Sequence, residues 1–275
     1  MKYIGVLLFS AILIAGCSKA NSVDPPADKY DPKPKDVIHS HGSMEHLEEL
    51  DRFIEQFNKQ KRAKVRIVQY TIEGDPIMTD LDYDGEIIHY LHDTTRDQYG
   101  SGSLTEKNCE NITKTETNTE TYYNLSCSGT QEEIIYIEHD TSAQDRFEFH
   151  LKYGVGKRNE INTKDQQLIK DLQNGEMVTV SDFQFSEEEL NRIYKAMILA
   201  NYLHERNLSN ACNQKPYESY ELTVWINGGE RHFEWTECDQ SPDGQKVSAM
   251  KNQILEILKE NELYKALPSS KGHNE

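Results

Sequence analysis

The start of this chain constrains its fold more than any later motif. Lys2 supplies one positive charge, and Ile4 to Ala15 form an apolar run of about a dozen residues. That order is the pattern of a secretory signal. A membrane-crossing helix needs roughly 20 apolar residues, so this run is too short to span comfortably. The expectation is a removable signal over residues 1–16, with everything after it folding outside the reducing cytosol. Four cysteines then remain beyond Cys17, namely Cys109, Cys127, Cys212 and Cys238. An even number in an oxidising compartment reads as disulfides. Three pairings are possible. Cys109–Cys127 with Cys212–Cys238 is favoured because each bond then closes within one half of the chain. No CxxC or Cys/His spacing supports a metal site instead.

The apolar run ends in Ile14-Ala15-Gly16-Cys17-Ser18. Small residues, then Cys, then an abrupt polar switch resemble the bacterial lipobox. The resemblance implies cleavage after Gly16 and diacylation of Cys17. Two or three acyl chains suffice for stable anchoring. Residues 17–35 contain Pro25, Pro26, Pro32 and Pro34 and almost no apolar side chains. They read as a semi-rigid tether reaching at most about 3.1 Å per residue.

The formal charge is −17, from 30 Lys and Arg against 47 Asp and Glu. Such a surface repels nucleic acid. It also keeps an exported body soluble. The expected partners are the membrane, through the N-terminal lipid, and an envelope protein or cell-wall component. No cofactor is indicated.

Periodicity divides the exported body into two modules of α+β class, each with antiparallel hairpins or meanders packed on amphipathic helices. In the first, residues 36–153, Ser43 is expected to cap a helix carrying Leu47, Leu50, Phe53, Ile54 and Phe57. A strand follows at Val65–Tyr70. The runs Thr79–Tyr83 and Glu86–Leu91 flank Asp84-Gly85, a hairpin signal. Residues 100–121 read as a long polar loop pinned by Cys109, and further strands follow near 122–127, 134–137 and 147–151. Residues 154–176 read as a connector with one short helix near Lys164–Leu172. The second module, residues 177–268, starts with a strand over Met177–Phe183. It continues with a capping box at Ser186-Glu187-Glu188-Glu189 and a hairpin around Asn227-Gly228-Gly229. A last helix begins at Pro242, suited to a first helical turn. Residues 269–275 form a tail.

Asp36-Val37-Ile38-His39-Ser40-His41-Gly42, Tyr70-Thr71-Ile72-Glu73-Gly74-Asp75-Pro76-Ile77, Asp80-Leu81-Asp82-Tyr83-Asp84-Gly85 and Arg96-Asp97-Gln98-Tyr99-Gly100, with Cys109 and Cys127, resemble one known module. It is the domain of unknown function 4362, found in lipoproteins of Gram-positive, spore-forming bacteria. The resemblance spans roughly Asp36 to Gly129. It implies a location at the cell envelope and no particular activity.

Asp80-x-Asp82-x-Asp84-Gly85 matches the start of a calcium loop, but the twelfth position is Leu91 where a bidentate Glu is needed, and the flanks read as strands. Asp80, Asp82 and Asp84 are thus a candidate metal set set against a plain acidic hairpin. His39, His41, His46, His89 and His92 are possible ligands or exposed loop residues, and Glu73 and Asp75 read as a turn before they read as an acid–base pair. Trp225, Phe233 and Trp235 on the later hairpin are either cross-strand packing or a sugar- or peptide-binding platform. No nucleophile, phosphate-loop or zinc-protease motif is present, so no catalytic residue is assigned. The favoured reading is a non-catalytic binding protein. Its rival is a metal-dependent envelope hydrolase using Asp80–Asp84.

Overall fold

A computed structural model describes residues 30–40 and 43–270. The expected signal peptide, Cys17, the tether up to residue 29, His41 and the tail from residue 271 lie outside the described residues.

Three sheets carry the architecture. The first has the order β2 (Ser43–Glu45), β1 (Val37–Ser40), β3 (Ala63–Tyr70), β4 (Pro76–Tyr83), β5 (Ile88–Asp93), β6 (Leu104–Cys109). The second is a three-stranded meander of β7 (Asn111–Glu116), β8 (Glu120–Cys127) and β9 (Thr130–Glu138). The third has the order β13 (Met177–Ser181), β12 (Gln167–Asp171), β11 (Asn159–Asn162), β10 (Phe147–Tyr153), β14 (Ser219–Ile226), β15 (Gly229–Thr236). Helices α1 (Leu47–Asn58), α2 (Glu187–Leu199), α3 (Pro242–Glu260) and α4 (Glu262–Lys265) complete a mostly β member of the α+β class. The pairing is antiparallel except between β1 and β3, which run parallel.

Each large sheet has one buried and one open face, as alternation along a strand dictates. In the first sheet Val65, Ile67, Leu81, Tyr83 and Ile88 are buried. Helix α1 covers that face, with Leu50 and Phe53 buried and the Phe57 ring 4.8 Å from Tyr83. The meander closes the rest: Tyr123 donates its hydroxyl to Asp51 of α1 at 2.7 Å, and Lys107 on β6 pairs with Glu132 on β9 at 2.6 Å. Cys109 and Cys127 are disulfide-bonded across β6 and β8, and Cys212 is bonded to Cys238. The pairing is the within-half arrangement. In the third sheet Phe149, Leu151, Leu222, Val224, Phe233 and Trp235 face inward. Phe147 meets Tyr194 of α2, and Trp235 Nε1 donates to Ser248 of α3 at 2.9 Å.

Several local expectations change. Ser43 does not cap α1; it lies on β2, its hydroxyl 2.8 Å from that of Ser40. The N-cap is His46 in the left-handed region with φ 59°, making no side-chain cap bond. The Asp84-Gly85 turn is wider than a two-residue hairpin, because Tyr83 pairs with Ile88 and only Gly85, with φ 107°, is left-handed. The polar stretch 100–121 is mostly strand, carrying β6, β7 and the start of β8. Only Cys109 and Ile112 of β6 and β7 are fully buried, so its hydrophobic alternation is nearly silent. The helix expected near 164–172 is β12, where Leu168 and Lys170 point inward and Ile169 outward. Residues 154–176 therefore supply two strands of the third sheet, and β10 pairs with β11 on one edge and with β14 on the other. The Ser186–Glu189 capping box and Pro242 at the start of α3 are present.

Candidate functional site

The open face of the first sheet carries two mostly polar rows, and beyond them on the same face Val68 and Met78 are buried. The register of β3 to β6 places Lys64, Asp82, His89 and Asn108 in one row, and Arg66, Asp80, Leu91 and Glu106 in the next. Lys33, Lys35 and Asp36, from the segment leading into β1, form a wall beside them, and together they enclose a cleft of about 860 Å³.

Cross-strand neighbours pair by charge. Arg66 grips Asp80 in a bidentate pair, Nε to Oδ1 at 2.6 Å and Nη2 to Oδ2 at 2.7 Å. That carboxylate holds the guanidinium pKa well above its ordinary value against partial burial. Lys64 Nζ lies 2.5 Å from Asp82. Asp84 sits just past β4 and accepts the backbone N–H groups of Glu86 and Ile87 at 2.8 and 2.9 Å. These two amides, the Ile87 one foremost, and then the His89 side chain lower its carboxyl pKa to about 2. His89 places Nε2 3.2 Å from Asp84 and Nδ1 3.1 Å from the Asn108 carbonyl. With acceptors at both ring nitrogens the imidazolium is favoured, and Asp84 first and Asn108 second raise the His89 pKa.

The wall is fixed by Tyr30. Its hydroxyl donates to the buried Asp36 at 2.6 Å and accepts from Arg66 Nη1 at 3.2 Å. Its ring lies 5.8 Å from the Arg66 guanidinium and 5.9 Å from that of Arg96. Tyr30, the first described residue, thus sits at the edge of this cleft.

The three aspartates of the candidate metal set do not share one centre. Asp80 and Asp82 line the open face and are each engaged by a cation, while Asp84 caps its turn. Among the described residues no three His, Cys, Asp or Glu side chains converge as a metal-holding group. His89 and His92 fall on opposite faces; His92 Nδ1 is 3.0 Å from the Thr79 hydroxyl. Asp75 accepts the Gln98 N–H at 2.9 Å within a turn shaped by Gly74, with φ 90°.

The aromatic trio is also divided. Phe233 faces Leu222 and Trp235 faces Tyr220 across β14 and β15, and both are buried. Trp225 stands on the other face opposite Glu230, to which its Nε1 donates at 2.9 Å. Arg146 and Lys164 approach its ring at 5.5 and 5.1 Å. A platform of all three rings is not formed.

Lys64, Arg66, Glu106 and Asn108 were not singled out by sequence reasoning. The one available signal was alternation of charged with β-branched or apolar residues in Lys64-Val65-Arg66-Ile67 and Asp80-Leu81-Asp82-Tyr83.

Residues 34–124 match the family model described as Domain of unknown function (DUF4362). The match contains α1, β1 to β7 and every cleft residue named above except Lys33. No curated protein and no solved structure matches the chain.

Proposed function

We propose that this protein is a lipid-anchored, extracytoplasmic binding protein that holds a polar envelope ligand on the open face of its first sheet. The observation that carries the reading is the cleft of about 860 Å³, floored by two charged rows, at the point where the segment from Cys17 meets the body. A cleft with convergent polar groups is the default binding hypothesis for a structure of this kind. The Ile14-Ala15-Gly16-Cys17 sequence supports the anchor. Tyr30 stands thirteen positions after Cys17, so the cleft stays within about 40 Å of the bilayer. The ligand is then a component of the membrane-proximal wall or a neighbouring envelope protein.

The second reading, a metal-dependent hydrolase, has Asp80 and Asp82 in its favour as adjacent carboxylates on one face. A cation would have to displace Arg66 from Asp80 and Lys64 from Asp82. Thermal shift with calcium and with zinc, on parent and Asp82→Asn, tests it; a rise that the variant loses favours that reading.

For the binding reading, solubilised peptidoglycan and teichoic acid fractions are titrated onto parent and Arg66→Ala protein. Binding by the parent that falls at least tenfold in Arg66→Ala supports it. Equal binding by a folded Arg66→Ala protein removes the open face as the site.

A further inference from the structure

The two halves share one apolar core and are also joined by charged pairs. Lys195 of α2 pairs with Glu116 of β7 at 2.7 Å, and Lys246 of α3 pairs with Glu45 of β2 at 3.0 Å. The chain crosses from one half to the other just after β9, through His139, Asp140 and Thr141. Asn191 of α2, with no exposed surface, holds this crossing by accepting from the Thr141 N–H at 2.8 Å and hydroxyl at 2.6 Å. His139 is 2% exposed, with its backbone N–H bonded to Thr119 and its Nε2 3.2 Å from the buried Thr121 hydroxyl.

Two atoms at this crossing have no hydrogen-bond partner: His139 Nδ1 and Asn191 Nδ2. The neutral ring tolerates this, because one nitrogen can be left as a bare acceptor. The imidazolium fits less well, because both nitrogens then carry a proton and no acceptor stands in good hydrogen-bond geometry to Nδ1, although the backbone groups of Glu120 and of His139 itself favour the charged ring in part. Burial adds the cost of an uncompensated charge. The charged groups facing the ring are Lys195 from α2 and Glu116 from β7, which pair with each other and act on the ring in opposite senses; the backbone groups of Glu120 and His139 favour the charged ring more weakly, and Glu138 and Asp140 flank it in sequence. The crossing is therefore built around a buried imidazole whose uncharged form fits its surroundings better.

We infer that the His139 crossing is an acid-released latch: protonation of His139 frees residues 139–146 from Asn191 and loosens the seam between the first two sheets and α2. The sign follows from linkage. Burial first, and Lys195 second, lower the His139 pKa in the closed form from the ordinary 6.5. The closed form is then fully favoured above that ordinary value. It loses ground as pH falls below it, down to the closed-form value.

Amide hydrogen exchange over 139–146 and the first turns of α2 tests it, corrected for the intrinsic pH dependence and followed from about pH 7.5 to about 5.5. The latch predicts that protection there falls on the order of tenfold across this window, while the β3–β4 amides change little. A folded His139→Gln protein is expected to lose the pH dependence; retention of the parent's profile by that variant overturns the inference. In the unaltered protein, the His139 ring signal reports by NMR without any substitution. Titration below 6.5 in step with lost protection supports the latch. Titration at the ordinary value, or protection unchanged throughout the window, overturns it.

Discussion

Arg66 and Asp80 face each other across β3 and β4, two nitrogens on two oxygens at 2.6 and 2.7 Å, at the centre of the open face. Each side chain keeps about a third of its surface in water, so the pair is screened. Its coupling is nearer that of a good surface bridge than of a buried one. A double-mutant cycle with Arg66→Ala and Asp80→Ala, followed by urea unfolding, is expected to give about 1 kcal/mol of coupling. A coupling of zero contradicts the bidentate geometry.

The His89–Asp84 pair sets a pH-dependent edge to the same cleft. The raised His89 pKa contributes stability below the ordinary 6.5 that is lost as pH rises through the folded value. The lowered Asp84 pKa contributes stability above the ordinary 3.8 that is lost as pH falls toward about 2. An NMR titration should find His89 above 6.5, and Asp84→Asn should bring it down. An unmoved His89 in that variant shows that Asp84 is not its partner.

The two bonded cysteine pairs close loops with sequence separations of 18 and 26. Chain-entropy arguments give about 3 kcal/mol for each. Reductant is therefore expected to lower the melting temperature of the folded body. Four freely alkylated thiols in native protein contradict the pairing.

Trp235 and Trp225 are five strand pairs apart in register but on opposite faces. Trp235 is fully buried and bonded to Ser248, whereas Trp225 stands against Arg146 and Lys164. Trp235→Ala is expected to cost about 3 to 5 kcal/mol, and Trp225→Ala about 1 kcal/mol or less. Urea denaturation separates the two, and equal losses contradict the assignment of faces.

Local chemistry was legible in the sequence. The Ser186–Glu189 box, Pro242 at a helix start, Asn227 and Gly228 between two strands and the apolar stripe of α1 depend on neighbours a few residues away, and each stands where the pattern put it. What failed depends on distant partners. Strands β6 and β7 have almost no buried side chains of their own, so their strand state comes from β5 and β8. The β12 segment has a helix-like composition, yet its order is fixed by pairing with β11 and β13. Asp80 and Asp82 were noticed for their spacing alone. Their partners Arg66 and Lys64 lie fourteen and eighteen positions earlier in the chain, and only the register of β3 on β4 brings them together. The cleft is a product of four strands and a returning N-terminal segment, and no single stretch encodes it.

The open face of the first sheet is the proposed ligand site, and amide chemical-shift mapping of residues 18–275, titrated with solubilised envelope polymer, tests that placement. Saturable shifts clustered at Lys64, Arg66, Asp80, Asp82, His89 and Asn108 are expected. Saturable shifts confined to the outer face around Trp225, with those six unmoved, contradict it.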